Sequence, residues 1–330
     1  MKNSKYSFAN KLSIVAAVVC SILCFSGAYY LNLGNDTVWR MPKTIGCIVI
    51  GVVISVLLFG TAFGAKLLKG TSYNFKACFL WEIILILMFL LLAVFFATKN
   101  SPFAQYFNVR AQKSEINSKL QTNIEQAEDM FAAYESYAKN RENLYKKKLE
   151  SVVAAKRIDT AEYKAFGFQN NGKSDDKQIN TKMFSVHADL FPTNYTDTIA
   201  YNGIKEVAAK WLQDQKNITR RWKFIGIVGV VNGIEKNTND WLNNLVTLSQ
   251  VREQGEVTID FQYSLSFDDV KTHFTKIDTP TLLSIMFSFM ISLFMILPYI
   301  LTIRNTKSTY GLRALFSKKR NNKGEHEIEY

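Results

Sequence analysis

The stretch that decides the fold runs from Ser101 to Arg157 and reads SPFAQYFNVRAQKSEINSKLQTNIEQAEDMFAAYESYAKNRENLYKKKLESVVAAKR. Ser101-Pro102 has the residue types of a helix N-cap and a first helical position. The rest contains no Gly and is rich in the helix formers Ala, Gln, Glu, Lys and Leu. A helix of about 50 residues would extend about 75 Å at 1.5 Å per residue. The stretch therefore predicts one long helical arm, ending near Lys164.

Apolar side chains recur along this arm at intervals of three and four residues, the pattern of a coiled coil or a long packed helix. The residues of this seam are Leu120, Ile124, Ala127, Phe131, Tyr134 and Ala138. Arg141 and Lys148 occupy the same positions further along, so we expect that the seam weakens or that the helix turns back there. The seam has two possible covers, the remainder of the same chain or the same helix of a second copy. We predict the second, a homo-oligomer with parallel arms in which Ile124, Phe131 and Tyr134 are contact residues.

Four apolar runs of about 20 residues are each long enough to cross a hydrocarbon core of about 30 Å. They occupy residues 12–33, 45–68, 77–98 and 281–303. The first run has an alternative interpretation as a signal peptide, because Lys2, Lys5 and Lys11 precede it. It continues past the small residues of a cleavage site to Leu33, which favours an uncleaved span. The composition thus predicts a mainly α membrane protein with four transmembrane helices.

The net charge of +12 is explained by topology. Basic residues are concentrated before the first run, between the second and third, and after the fourth, and such segments stay on the cytoplasmic side. Four spans then place residues 1–11 and the basic tail 304–330 in the cytoplasm, and residues 99–280 outside. The basic residues do not cluster in one folded region, which argues against nucleic-acid binding.

Small residues inside the runs predict close helix packing or self-association. Gly60 and Gly64 form a small-xxx-small pair in the second run, and Ser284, Ser288 and Ser292 repeat every four residues in the fourth. Glu82 is the clearest ionisable residue inside a run. Its position one turn from the cytoplasmic end favours an interfacial location over a proton pathway.

The region outside the membrane divides into the arm 99–165, a polar loop 166–181 and a small α+β domain 182–280. Gly167–Ser174 matches the pattern of a phosphate-binding loop, but no buried strand precedes it, so we predict no nucleotide. Tyr201–Gln215 and Asn237–Glu253 have helical spacing. Trp222–Val231 resembles a buried strand, with a segment at the membrane interface as the alternative. Residues 257–267 alternate strictly between apolar and polar side chains, which predicts a strand.

No catalytic motif, cofactor site or metal-ligand spacing is present in the sequence, and the lack of any such motif favours a binding protein over an enzyme. The chain is interpreted as an anchoring or scaffold component of an envelope-spanning assembly, of the secretion or transfer type, in a bacterial inner membrane. Its expected partners are the lipid bilayer, other envelope proteins and further copies of itself. A transmembrane signal transducer is the alternative, and a channel or transporter subunit is a third possibility.

Overall fold

The computed structural model describes residues 2–70, 76–169, 172–197, 199–256 and 258–303. Within them the chain is mainly helical and contains one two-stranded hairpin. The first elements are α1 (Lys2–Leu31), β1 (Thr37–Val38), β2 (Met41–Pro42), α2 (Lys43–Gly70), α3 (Lys76–Phe96) and α4 (Pro102–Ala111). They are followed by α5 (Lys113–Ala155), α6 (Thr160–Ala165), α7 (Asp175–Leu190), α8 (Ile204–Arg221), α9 (Phe224–Ser249), α10 (Lys271–Thr275) and α11 (Leu282–Leu301).

The chain divides into two compact units. The membrane unit comprises the residues up to Gln112 together with those from His273 onward, and the helical unit is Lys113–Thr272. Each unit therefore has its own core, and the helical unit is an insertion between the third and fourth apolar helices.

The prediction of four transmembrane helices is confirmed at the level of length and composition. Four helices are long and apolar enough to span a membrane: Phe8–Leu31, Lys43–Gly70, Cys78–Phe96 and Leu282–Leu301. Each lies within a few residues of its predicted run. The predicted basic tail 304–330 lies outside the described residues, as do residues 71–75 between α2 and α3.

Glycines set the closest helix contacts of the membrane unit, and they are not the pair that the sequence suggests. A Cβ atom on Gly27 would lie 1.6 Å from the carbonyl oxygen of Pro102, so α4 packs on α1 without room for a side chain. A Cβ on Gly51 would lie 2.5 Å from the carbonyl oxygen of Ser21, so α2 also packs on α1 without room for a side chain. These two glycines therefore define the packing around α1.

The predicted single arm is interrupted, and this part of the prediction is wrong. Its start is right, because the Ser101 hydroxyl accepts a hydrogen bond from the backbone N–H of Phe103 at 3.1 Å. However, α4 ends at Gln112, whose backbone N–H donates to carbonyl groups of the preceding turn, and α5 begins anew at Lys113. α5 spans 43 residues. The short helix α6 then contains the predicted end of the arm.

The predicted α+β domain is wrong, because the described part of the helical unit contains only helices and irregular segments. Trp222–Val231 belongs mainly to α9, which runs on into the predicted helix beginning at Asn237. Four residues of this stretch, Ile227, Val228, Val230 and Val231, are buried in α9. Gly226 lies inside this helix because Ile218 of α8 packs directly against it. The second half of the predicted loop is also helical, since Ser174 caps α7.

Candidate interaction surface

The segment 258–269 has the predicted side-chain alternation only from Phe261 onward, because Ile259, which the pattern places inside, is 79% exposed. It pairs with no strand among the described residues. Phe261 is buried and Tyr263, Leu265 and Phe267 are half-buried, whereas the residues between them are exposed. A burial period of two is that of an extended backbone. We call residues 258–269 the extended segment. The predicted backbone conformation is supported, and the predicted sheet is absent from the described chain.

Two side-chain amides of α5 hold this segment in the way that a neighbouring strand would. Asn123 accepts from the backbone N–H of Asp268 at 2.8 Å and donates to its carbonyl oxygen at 3.1 Å. Gln126 makes the same pair of bonds to Ser266, at 3.2 and 2.7 Å. Asn123 and Gln126 are one helical turn apart, which matches two residues of an extended chain. A helix thus satisfies one edge of the segment.

The opposite edge of the segment is open. In an extended chain, successive residues direct their N–H and C=O groups to opposite sides. Leu265 and Phe267 therefore present their backbone groups away from α5, and these groups have no partner within the described residues. The exposed side chains beside them, Gln262, Ser264 and Ser266, are uncharged. Such an edge lacks the lysines, prolines and bulges that usually block strand pairing.

The start of the segment is anchored in the core of the helical unit. The N–H of Phe261 donates to the hydroxyl of Ser249 at 2.9 Å, and the hydroxyl of Tyr137 donates to the carbonyl of Ile259 at 2.8 Å. The Phe261 ring packs edge-on against Tyr134, with 5.3 Å between ring centroids. The segment is consequently fixed at both ends.

A buried ion pair fixes the loop between α9 and the extended segment. The side chains of Arg141 and Glu256 are 2% and 1% exposed, and Arg141 donates from Nε to Oε1 at 2.5 Å and from Nη2 to Oε2 at 2.8 Å. Arg141 also donates to the carbonyl oxygens of Ser249, at 2.8 Å, and of Val251. The guanidinium therefore caps the C-terminal end of α9, where the helix dipole favours a cation. Arg141, where the sequence predicts a weakened seam, therefore stabilises the loop that follows α9.

The pKa values of Arg141 and Glu256 show that the hydrogen bonds of the pair outweigh the effect of burial. Burial opposes the charge of Glu256, but hydrogen bonds from Arg141 and from the backbone N–H of Glu253 outweigh it and hold the pKa of Glu256 below its ordinary value. Burial likewise opposes the charge of Arg141, and the bonds to Glu256 raise its pKa above the ordinary value. Both groups are thus charged at neutral pH.

The seam residues lie in the core of their own chain. Ile124 packs with Leu212 of α8 and Ile234 of α9. Phe131 and Tyr134 belong to a neighbouring cluster that α8, α9 and the extended segment complete. Further along, α6 and α7 cover α5. Long helices lying along the arm cover more of it than a compact domain would, so a second copy is not needed to bury the seam. The homo-oligomer stays a prediction.

The predicted packing residues of the spans have different environments. A Cβ on Gly64 would lie 3.1 Å from Leu85 of α3, whereas one on Gly60 would meet nothing within 4 Å. Ser284, Ser288 and Ser292 are all buried in α11. Ser288 and Ser292 line a cavity of about 340 Å³ between α3 and α11, walled otherwise by apolar side chains. The hydroxyl groups of Ser284 and Ser292 have no hydrogen-bond partner among the described residues.

Glu82 in α3 is also buried, and its carboxylate accepts a hydrogen bond from the hydroxyl of Tyr299 in α11 at 2.9 Å. This contact links the ends of two spans. The interfacial position expected from the sequence stays a prediction.

The resemblance of Gly167–Ser174 to a phosphate loop has a structural explanation. Gly167, with φ +74°, ends helix α6: its N–H donates to Lys164, and that of Phe168 donates to Tyr163. This is the Schellman arrangement that favours Gly after a helix. Ser174 caps the next helix. The glycine and serine of the pattern are therefore the end of one helix and the N-cap of the next, and a helix rather than a strand precedes them. Asn170 and Asn171 lie outside the described residues.

Sequence reasoning missed Asn123, Gln126 and Glu256. Asn123 and Gln126 flank the seam positions of α5, where polar residues are ordinary. The sequence contains no signal for their role, because its pattern predicts Trp222–Val231 as the second strand, and that stretch belongs mainly to α9 instead. A charged residue inside the apolar seam, Arg141, was a signal that a buried acid should exist elsewhere in the chain.

Comparison with protein-family models, curated proteins and solved structures found no significant match. The described residues also contain no group of His, Cys, Asp and Glu side chains arranged to hold a metal ion. The functional argument therefore rests on the geometry of the chain itself.

Proposed function

We propose that this protein is a membrane-anchored scaffold component of an envelope-spanning assembly, and that it acts by binding another protein rather than as an enzyme. The observation that carries the proposal is the open edge of the extended segment, with the unpaired backbone groups of Leu265 and Phe267. An extended peptide added at this edge pairs with those groups, a common mode of protein recognition.

The expected partner is an extended peptide with a basic residue at one end. Asp268 and Asp269 lie where the segment meets α10, and the carboxylate of Asp269 caps that helix through the N–H of Thr272 at 3.3 Å. Asp268 is exposed. A cation on the incoming strand would meet this acidic end, which would set the direction of the strand as well as its affinity.

The proposed location is a bacterial inner membrane, with both termini cytoplasmic and the helical unit in the periplasm. Basic residues support this orientation. Lys66 donates to the side-chain oxygen of Asn10 at 2.7 Å and Lys69 to the carbonyl of Tyr299 at 3.0 Å. These lysines thus lie at the end of the spans where α1 begins and α11 ends.

Self-association is part of the proposal, through the spans rather than the arm. The cavity between α3 and α11 and the open surface at Gly60 are unfilled faces of the membrane unit. An apolar side chain from a second copy could enter this cavity and pack beside Ser288 and Ser292. Mass photometry of the detergent-solubilised protein tests this: Ser292→Leu, which fills the cavity, should lower the oligomeric state, and a wild type that is monomeric at all concentrations refutes it.

Photocrosslinking in the native cell tests the binding edge. A photoreactive residue at Ser266, which is exposed beside the edge, should crosslink to one protein, and the same residue at Ser118, exposed on α5, should not. In the protein with the photoreactive residue at position 266, Leu265→Pro removes the backbone N–H that a partner strand would use. Leu265→Ala removes only the side chain. We expect Pro to abolish the crosslink and Ala to retain it. Equal crosslinking in both variants would refute strand addition.

A further inference from the structure

A second cavity of the membrane unit, of about 470 Å³, lies between α1, α4 and α11. Its wall is apolar and aromatic, with Leu23 from α1, Tyr106 and Phe107 from α4, and Phe287 from α11. The cavity begins beside Thr281, the N-cap of α11. Leu23 is eight residues from the end of α1, so the cavity reaches about 12 Å inward from the end of the spans.

The walls of this cavity are held by specific contacts, which makes it a formed site rather than a loose gap. The side-chain amide of Asn108 donates to the carbonyl of Asp278 and its oxygen accepts from the N–H of Thr281, both at 3.3 Å. The ring centroids of Phe107 and Phe287 are 5.4 Å apart. These contacts join α4 to the start of α11.

The wall of this cavity contains one basic side chain among the described residues, that of Arg110. Arg110, in the last turn of α4, lines the cavity, is exposed, and makes no hydrogen bond or ion pair with any described residue. No Asp or Glu belongs to the described lining. An unpaired guanidinium beside a deep apolar cavity matches the chemistry of one kind of ligand, an anionic head group joined to a hydrocarbon chain.

We propose that this cavity binds an anionic phospholipid, with the phosphate at Arg110 and an acyl chain against Leu23, Phe107 and Phe287. Arg donates two parallel hydrogen bonds to a phosphate, which a lipid at the end of the spans presents at the right height. A zwitterionic phospholipid carries the same phosphate, but its ammonium group is repelled by Arg110 and meets no carboxylate in the described lining. The site therefore selects the anionic lipid, such as phosphatidylglycerol, over phosphatidylethanolamine.

Native mass spectrometry of the full chain in detergent tests the site, with phosphatidylglycerol and phosphatidylethanolamine of identical acyl chains. The wild type should bind phosphatidylglycerol about tenfold more tightly, the equivalent of one charge-assisted hydrogen bond. Arg110→Gln should remove this preference. Lys99→Gln is the matched control, because Lys99 is an exposed cation just after α3 and outside the cavity lining, and it should keep the preference.

The acyl part of the site has its own test. Val19→Trp fills the cavity from α1 and should weaken binding of both lipids, and Leu283→Trp fills it from α11 if the first variant does not fold. A preference for phosphatidylglycerol that survives Arg110→Gln overturns the head-group assignment. Lipid binding that both tryptophan variants leave unchanged overturns the cavity assignment. Neither outcome depends on the protein partner proposed above.

Discussion

Replacement of Glu256 by Gln would test the ion pair that fixes the extended segment. The variant leaves the guanidinium of Arg141, 2% exposed, without a counter-charge. Removal of one partner from a buried pair costs about 3–5 kcal/mol. Since 1.4 kcal/mol is a factor of ten, the opening equilibrium of the helical unit should rise by about two to three and a half orders of magnitude. Arg141→Met should cost more, because the carbonyls of Ser249 and Val251 also lose their donor.

Hydrogen–deuterium exchange of the full chain in detergent measures this change. Amides at the end of α9 and around Arg141 in α5 should lose protection by that factor. The matched control is Glu128→Gln, which breaks the exposed pair with Lys216, whose side chains are 41% and 40% exposed. An exposed pair contributes about 0–1 kcal/mol, so protection should change by less than about fivefold.

The pH dependence of the same variants has a definite sign. The folded-state pKa of Glu256 is depressed, so its contribution is present above the unfolded pKa and is lost as the pH falls through the folded pKa. In Arg141→Met, the carboxylate is buried without a partner and its pKa should rise. That variant should therefore become more stable as the pH falls from neutral, whereas the wild type loses stability in acid. Protection that is unchanged in Glu256→Gln, or parallel pH profiles for wild type and Arg141→Met, would refute this account of the pair.

Three further predictions follow from the packing and the proposed topology. Gly27→Ala should lower the thermal stability of the membrane unit strongly, because its Cβ would overlap the Pro102 carbonyl, while Gly60→Ala should leave the melting temperature unchanged; equal effects would contradict the packing around α1. Phe131→Lys places a charge in the core of the helical unit and should cost several kcal/mol by chemical denaturation, even in a monomer; a loss of association at unchanged stability would instead favour a seam between copies. In a background without native cysteines, a cysteine at Ser174 should react with an impermeant maleimide from outside, and one at Asn321 only after permeabilisation; the reverse pattern would invert the topology.

Local patterns determined much of this protein. The four spans follow from the length and apolarity of four runs, the cap at Ser101 from Ser-Pro, and α5 from its composition and its spacing of three and four. The alternation from Phe261 to Phe267 correctly indicated which side chains face inward. These features depend on residues that are near one another in the chain, so the sequence alone contains them.

Tertiary structure decided which surfaces cover one another. The seam of Ile124, Phe131 and Tyr134 required a cover, but its spacing is the same whether that cover is a second copy or α8 and α9 of the same chain. The alternating segment required backbone partners, and these are the amides of Asn123 and Gln126, which look like ordinary polar residues of a helix. A period specifies the buried face of an element and not its neighbour, because the neighbour is chosen by shape and hydrogen bonding between residues more than 100 positions apart.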